Sequence, residues 1–123
     1  MRSKFGNKHT AVDGIVFDSI REARYYIFLR DLQRKGEISN LRMQVPYELI
    51  PAVYREETVQ LKTKTKTVTR CVQKAVHYIA DFVYTDNETG AEMVVDTKGF
   101  RTKEYVLKKK MMLAFKGIAI VEA

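Results

Sequence analysis

A β-hairpin in the second half of the chain restricts the choice of folds more than any other segment. We expect strands over residues 71–85 and 92–98, because both segments are rich in apolar and β-branched residues. Residues 86–90, Asp-Asn-Glu-Thr-Gly, are turn formers that join them. With the turn centred on this joint, Asp81 of the first strand lies directly opposite Asp96 of the second.

The predicted pairing brings two carboxylates into an apolar setting. Directly opposed strand residues have Cβ atoms about 4.5–5.5 Å apart, and like charges at that separation are destabilising. Asp81 and Asp96 therefore need a cation or a shared proton. Lys98 follows Asp96 by two residues, so strand alternation places it on the same face. Spacing leaves two interpretations open: a structural ion cluster completed by Lys98, or a Mg²⁺ site.

The remaining segments complete a mixed α/β fold in a single domain over residues 1–123. Ser19 and Thr102 are predicted N-caps, and Gly36 and Gly117 are predicted helix stops. The expected order is a helix over residues 19–35, a strand over 38–50, the hairpin, a helix over 102–116 and a strand over 118–121. The second helix is expected to bury Leu107, Met111 and Ala114.

Glu22 has two candidate roles near the start of the first helix. It stands three residues after Ser19, as in a capping box, where its carboxylate accepts a hydrogen bond from the Ser19 N–H. It also shares a helix stripe with Tyr26 and Leu29, so its carboxylate can instead point at a site in the interior. The helix pattern by itself favours the cap.

The balance of charge favours a polyanionic partner. Lys and Arg total 22 against 15 Asp and Glu, which gives a net charge of +7. Such a surface gains affinity for nucleic acid by releasing counterions, although it can also serve solubility alone. The single cysteine, Cys71, excludes an internal disulfide. With no signal peptide and no apolar run long enough for a bilayer, we expect a cytoplasmic protein without membrane attachment.

Two basic segments are candidate DNA contacts. Residues 1–11 are expected to form a basic N-terminal arm, and residues 54–70 a polar loop or β-arm rich in Lys and Thr. Strict alternation would place four basic side chains on one face of that arm: Lys62, Lys64, Lys66 and Arg70. The alternatives are an edge strand protected by lysines and a segment without order.

The spacing of Asp81 and Asp96-Thr97-Lys98 resembles the signature of the PD-(D/E)XK nuclease superfamily. The resemblance implies a restriction-endonuclease-like αβββαβ core, with Mg²⁺ as the cofactor and Mn²⁺ able to substitute. It implies metal ligation by Asp81, Asp96, the backbone carbonyl of Thr97, and Glu22 directly or through water. Lys98 would then position the attacking water or stabilise the charge that develops on phosphorus.

Glu22 resembles the first-helix glutamate of Holliday-junction-resolvase-like nucleases, and longer strings are similar to a group of short phage proteins. With this resemblance, a catalytic role for Glu22 is favoured over the cap. Ala80 departs from the signature, which expects proline there. Gln44 and His77 are weaker site candidates, for which an ordinary strand position is the simpler explanation. The matching strings are Phe17-Asp18-Ser19, Glu22-Ala23, Gln44-Val45-Pro46, Tyr78-Ile79-Ala80-Asp81-Phe82 and Asp96-Thr97-Lys98-Gly99-Phe100.

The resemblance implies a metal-dependent DNA endonuclease with Glu22, Asp81, Asp96 and Lys98 as catalytic residues. Without a base-reading module it would select junctions, flaps or ends in phage DNA recombination, replication or processing, in the host cytoplasm. Likeness to resolvases adds a homodimer. The alternative is a non-catalytic, basic DNA-binding accessory protein with a structural acidic cluster. Further DNA contacts are expected at Arg101, Thr102, Lys103 and Lys108, near the start of the second helix.

Overall fold

The computed structural model describes residues 9–123. Within this range, no helix combines the length and the apolar character needed to cross a membrane. The elements in chain order are β1 (Thr10–Val12), β2 (Ile15–Phe17), α1 (Ile20–Arg34), β3 (Ile38–Ile50), β4 (Val53–Gln60), β5 (Thr65–Gln73), β6 (Val76–Asp86), β7 (Glu92–Asp96), α2 (Lys103–Lys116) and β8 (Val121–Glu122).

A four-stranded mixed sheet forms the centre of the fold, with the strand order β3-β6-β7-β8. The β3–β6 and β6–β7 pairs are antiparallel, and β7–β8 is parallel. A parallel pair needs a long crossover, which α2 supplies between β7 and β8. The predicted mixed α/β class is confirmed.

The predicted register of the β6–β7 hairpin is also confirmed. Phe82 lies opposite Val95, and Thr85 lies opposite Glu92. One further step along the same register places Asp81 beside Asp96, where β7 ends. The turn residues therefore determined the strand pairing, as expected for a short hairpin connection.

The two faces of the sheet each bury an apolar cluster under one helix. Where β6 and β7 pair, Phe82 and Val95 belong to the cluster under α1, whereas Val83 and Val94 belong to the cluster under α2, because successive strand residues point to opposite faces. The cluster under α1 contains Phe17, Ala23, Tyr26, Leu29, Ile38, Phe82 and Val95. The cluster under α2 contains Leu49, Tyr78, Ala80, Val83, Val94, Tyr105, Met112 and Ile120. The molecule is thus a three-layer arrangement of helix, sheet and helix.

Both helices begin and end where the capping residues predict. The Ser19 hydroxyl accepts from the Glu22 N–H at the start of α1, and the Thr102 hydroxyl accepts from the Tyr105 N–H at the start of α2. Gly117 adopts the left-handed conformation that ends α2, with a φ of 67°.

The buried stripe of α2 differs from the prediction. Leu107 and Ala114 are exposed and Met111 is only partly buried, whereas Tyr105 and Met112 are buried. Tyr105 and Met112 pack into the apolar cluster under α2, and the Tyr105 hydroxyl donates to Glu122 of β8 at 3.0 Å. Apolar spacing alone could not separate the two stripes.

The polar segment predicted over residues 54–70 is a β-arm, which corresponds to the β4–β5 hairpin in its own two-stranded sheet. Lys62 and Lys64 lie in the turn between the two strands, so the prediction of four basic residues along one strand was wrong. The predicted strand over residues 71–85 is also two strands, because β5 ends at Gln73 and β6 begins at Val76.

A small hairpin, β1–β2, precedes α1. Its turn is Asp13-Gly14, with φ angles of 53° and 77°, and an Asp-Gly pair favours this two-residue connection. The basic arm predicted over residues 1–11 lies mostly outside the described residues, and Thr10 and Ala11 belong to β1.

Candidate metal centre

Asp81 is held at the sheet by Thr97, the residue that follows β7. The backbone N–H and the hydroxyl of Thr97 both donate to Oδ2 of Asp81, each at 2.9 Å. This leaves Oδ1, whose neighbour is the Gln44 side-chain amide at 3.4 Å. Two strong donors on one oxygen fix the carboxylate and leave the other oxygen weakly bonded.

Asp96 is the last residue of β7 and has no exposed surface. The Tyr78 hydroxyl donates to its Oδ2 at 2.7 Å, whereas Oδ1 has no hydrogen-bond partner among residues 9–123. Burial raises the pKa of Asp96, and the hydrogen bond from Tyr78 opposes that rise. A buried carboxylate oxygen without a partner is costly, so it calls for a cation or a proton.

Glu22 points its carboxylate away from the start of α1. Its backbone N–H donates to Ser19 Oγ at 3.1 Å, but its Oε1 accepts from Gln44 Nε2 at 3.1 Å. The Glu22 carboxylate is therefore directed at the sheet and does not complete a capping box with Ser19. Burial, followed by the negative charge of Asp81, raises the pKa of Glu22 to about 7.

Gln44 connects the acidic groups of the helix and the sheet. It lies on β3 between Met43, which pairs with Phe82, and Val45, which pairs with Ala80, so it stands opposite Asp81. Its φ of 53° is left-handed, which is uncommon for a residue with a side chain. The side-chain amide of Gln44 donates to both Glu22 and Asp81. The uncommon backbone conformation of Gln44 accompanies this placement of its side chain.

Lys98 lies close to the acidic groups without forming an ion pair with them. The strand expected to reach residue 98 ends at Asp96, so alternation does not hold Lys98 on the Asp96 face. Its ammonium lies over the Tyr105 ring, 5.9 Å from the centroid, and the described residues contain no Lys98 ion pair. Its charge nevertheless lowers the pKa values of Glu22 and Asp96 against the larger effect of burial.

The donor set fits a hard divalent cation. Asp81 raises the pKa of both Glu22 and Asp96, which indicates that the three negative charges interact. Carboxylate oxygens are the ligands that Mg²⁺ prefers, and Oδ1 of Asp96 is a buried oxygen free to accept one. Across residues 9–123, no three Asp, Glu, His or Cys side chains already stand in a metal-binding arrangement. Binding of one cation by Glu22, Asp81 and Asp96 together would therefore require these carboxylates to move closer to one another.

Comparison with known proteins places the chain in a family. Residues 2–119 match DUF1064, a family described as proteins of unknown function. The chain belongs to the DUF1064 family. No curated protein and no solved structure matches it. The DUF1064 match spans the whole acidic cluster, from Glu22 to Asp96, and Lys98 as well.

Several of the predicted DNA contacts of this DUF1064 chain are engaged in bonds within the chain. Arg101 pairs with Glu122 at 2.8 Å, and Lys108 pairs with Glu104 at 2.9 Å. Thr102 caps α2, and Lys103 and His77 are exposed. Their contact with DNA stays a prediction, as it does for the exposed arm residues Lys62, Lys64, Lys66 and Arg70.

The roles of three supporting side chains of this DUF1064 site were not predicted, although Gln44 had been named as a weaker site candidate. Tyr78 was not recognised as the partner of Asp96, because the two residues are not opposed in the strand register. The Thr97 hydroxyl and the bridging role of Gln44 were also missed. Ligation by the Thr97 carbonyl stays a prediction.

Proposed function

We propose that this DUF1064 chain is a divalent-metal-dependent nuclease that hydrolyses phosphodiester bonds in DNA. The observation that carries the proposal is the buried Asp96, whose Oδ1 has no partner, beside the interacting carboxylates of Asp81 and Glu22. This cluster of negative charges occurs in a chain whose net charge is +7. Buried, mutually repelling carboxylates are costly for folding alone, and they suit a site that binds a cation next to a phosphate.

The topology also supports the proposal. The central sheet and its helices follow the order α1, β3, β6, β7, α2, β8, with the acidic residues on α1, β6 and β7. This order agrees with the αβββαβ core that the PD-(D/E)XK resemblance implies. Fold likeness alone does not define an activity, so the proposal depends on the site.

Asp81, Asp96 and Glu22 would hold the cation, which we propose to be Mg²⁺ with Mn²⁺ able to substitute. When bound, the ion supplies Lewis-acid polarisation of the phosphate and a lower pKa for water. Hydrogen bonds from Thr97 to Asp81 and from Tyr78 to Asp96 orient these two carboxylates.

Lys98 is the cation that would act on the phosphate group. Its exposed, flexible side chain can move from the Tyr105 ring to a phosphate oxygen and stabilise the charge that develops there. In the metal-free protein the pKa of Glu22 is raised to about 7, so binding of the cation by its carboxylate would release a proton near neutral pH.

The proposed substrate is branched or end-containing DNA rather than a fixed sequence. The basic surface and the β4–β5 arm offer contacts to the backbone, and backbone contacts read shape rather than sequence. Two symmetric cuts in a junction would need a homodimer, which is part of the same proposal. Its biological setting would be phage DNA recombination, replication or processing in the host cytoplasm.

The decisive experiment compares Asp96→Asn with Asp31→Asn, which removes the same charge from the exposed face of α1. Both variants and the wild type are incubated with labelled single-stranded, duplex, flap and four-way DNA, in Mg²⁺, in Mn²⁺ and in EDTA. We expect cleavage by the wild type and Asp31→Asn in either metal, and none in EDTA. Asp96→Asn should bind DNA as well or more tightly, because a repelling charge is removed, while cleavage is abolished.

A non-catalytic DNA-binding protein is the second candidate. The hydrogen bonds from Gln44, Thr97 and Tyr78 favour it, because neutral donors already stabilise the acidic cluster. Tight DNA binding without cleavage of any substrate in either metal would replace the nuclease proposal with this one.

A further inference from the structure

A cleft of about 340 Å³ borders the candidate metal centre on the α2 side of the sheet. Tyr78 and Lys98 belong both to its wall and to the centre, since Tyr78 bonds Asp96 and Lys98 lies by the acidic cluster. A ligand group in the cleft would therefore adjoin a phosphate held at the centre. The volume falls in the range of small-ligand sites.

The wall of this cleft carries aromatic and apolar surface that nothing covers. Phe100 is 79% exposed, the largest value among the big hydrophobic side chains of residues 9–123, and Ile79 is 53% exposed. Single exposed hydrophobic residues are ordinary on a protein surface. Here the two line one cleft, and an aromatic ring open on its face is a surface on which a nucleobase stacks.

The charge of the cleft complements a phosphate. Its acidic residue, Glu104, is paired with Lys108 at 2.9 Å, so the two charges compensate each other. Lys98 forms no ion pair within the described residues and supplies the remaining positive charge. An aromatic face two residues along the chain from an ammonium that forms no ion pair matches the two parts of a nucleotide, its base and its phosphate.

We propose that this cleft binds one unpaired nucleotide of a DNA strand. Its base would stack on Phe100, and its phosphate, which is the scissile one, would lie at Lys98. The inference rests on the proposed nuclease function and names its substrate class. Inside a duplex, neighbouring base pairs cover both faces of each base, so away from the duplex ends Phe100 can stack only on a base that has left the stack. The enzyme would therefore select flaps, frayed ends or open junctions.

The test measures binding in EDTA, where no cleavage is expected, with a fluorescent 2-aminopurine at the first unpaired position of a flap. A fully paired duplex of the same sequence is the second probe. Phe100→Ala is compared with Phe100→Trp, which keeps an aromatic face, and with Phe115→Ala, a control at a ring that is 61% exposed and does not line this cleft. Both sites are on the surface, so the three variants should fold.

We expect Phe100→Ala to bind the flap about 5- to 150-fold more weakly, the range that corresponds to the loss of one stacked base. Fluorescence quenching on binding should also be lost. Phe100→Trp should retain both, Phe115→Ala should match the wild type, and no variant should change duplex binding. Equal losses for Phe100→Ala and Phe115→Ala, equal losses on flap and duplex, or no DNA binding by the wild type would overturn the inference.

The two proposals fail in different ways. Flap binding that depends on Phe100, without cleavage in Mg²⁺ or Mn²⁺, would overturn the nuclease function and keep the nucleotide subsite. If Asp96→Asn abolished cleavage but Phe100→Ala changed neither binding nor cleavage on any substrate, the nuclease function would be kept and the nucleotide subsite overturned.

Discussion

At the scale of single residues, Glu22 combines a position at the start of a helix with a partly buried carboxylate whose pKa is raised. It lies in the first turn of α1, where its backbone N–H, and not its carboxylate, bonds with the N-cap residue Ser19. The carboxylate lies half-buried against Gln44, and near Asp81, so its protonated form is favoured in the folded protein. The stability of the metal-free protein should therefore depend on pH through this residue.

Glu22→Gln should remove that dependence. The pKa of Glu22 is raised from 4.5 to about 7 on folding, so between these pH values the folded state binds more protons than the unfolded state. The free energy of unfolding of the wild type should then fall as pH rises from 4.5 to 7 in EDTA. Thermal melts of the wild type and Glu22→Gln across this window measure the difference.

The matched control for Glu22→Gln is Glu88→Gln, at an exposed turn position. The control should keep the wild-type pH profile, including the contribution of Asp96, whose pKa is also raised by burial. Parallel melting profiles for all three proteins would show that Glu22 is not protonated preferentially in the folded state.

At the scale of elements, the β4–β5 arm is set apart by its sequence and by its pairing. The arm forms its own two-stranded sheet, and its strands are mostly exposed along their length. Its turn carries Lys62 and Lys64, and Lys66 follows at the start of β5. A long, basic, exposed hairpin is suited to contact a phosphate backbone, and replacing its lysines costs no buried packing.

Replacing Lys62, Lys64 and Lys66 with Gln should weaken DNA binding and its dependence on salt. Each lost phosphate contact lowers the slope of log K against log salt concentration by about 0.9. Binding titrations at several salt concentrations measure this slope. The control replaces three exposed lysines elsewhere, Lys35, Lys110 and Lys116, with Gln. Equal slopes for the two triple variants would mean that the arm makes no specific contribution beyond net charge.

At the scale of the whole molecule, the acidic cluster joins three elements that are distant in sequence. Glu22 comes from α1, Asp81 from β6 and Asp96 from β7, with Gln44 of β3 between the first two. The unfolded chain does not bring these groups together. A cation bound by all of them would therefore bind the folded state alone and stabilise it.

Mg²⁺ should raise the melting temperature of the DNA-free protein by several degrees. At a concentration 100-fold above the dissociation constant, a ligand specific to the folded state adds about 2.7 kcal/mol to the free energy of unfolding. The rise should be lost in Asp81→Asn and Asp96→Asn and kept in Asp31→Asn. It should also grow with pH as Glu22 loses its proton. An equal rise in all variants would indicate a general salt effect without a site.

Much of the fold could be predicted because the decisive signals are local. Ser19 and Thr102 start the helices by accepting nearby N–H groups, and residues 86–90 fix the hairpin register. The break between β5 and β6 and the buried stripe of α2 could not be predicted in the same way. Both depend on which partner each segment packs against, and apolar spacing permits more than one choice.

The sequence by itself determined which acidic residues belong together, since the β6–β7 register follows from turn chemistry and brings Asp81 to Asp96. Only the tertiary structure decided where Glu22 points, which oxygen of Asp96 is unpartnered, and that Lys98 lies over Tyr105. Side-chain direction and desolvation arise when separate elements pack, because they depend on neighbours that no local pattern specifies. The chemistry of the candidate centre belongs to this second group.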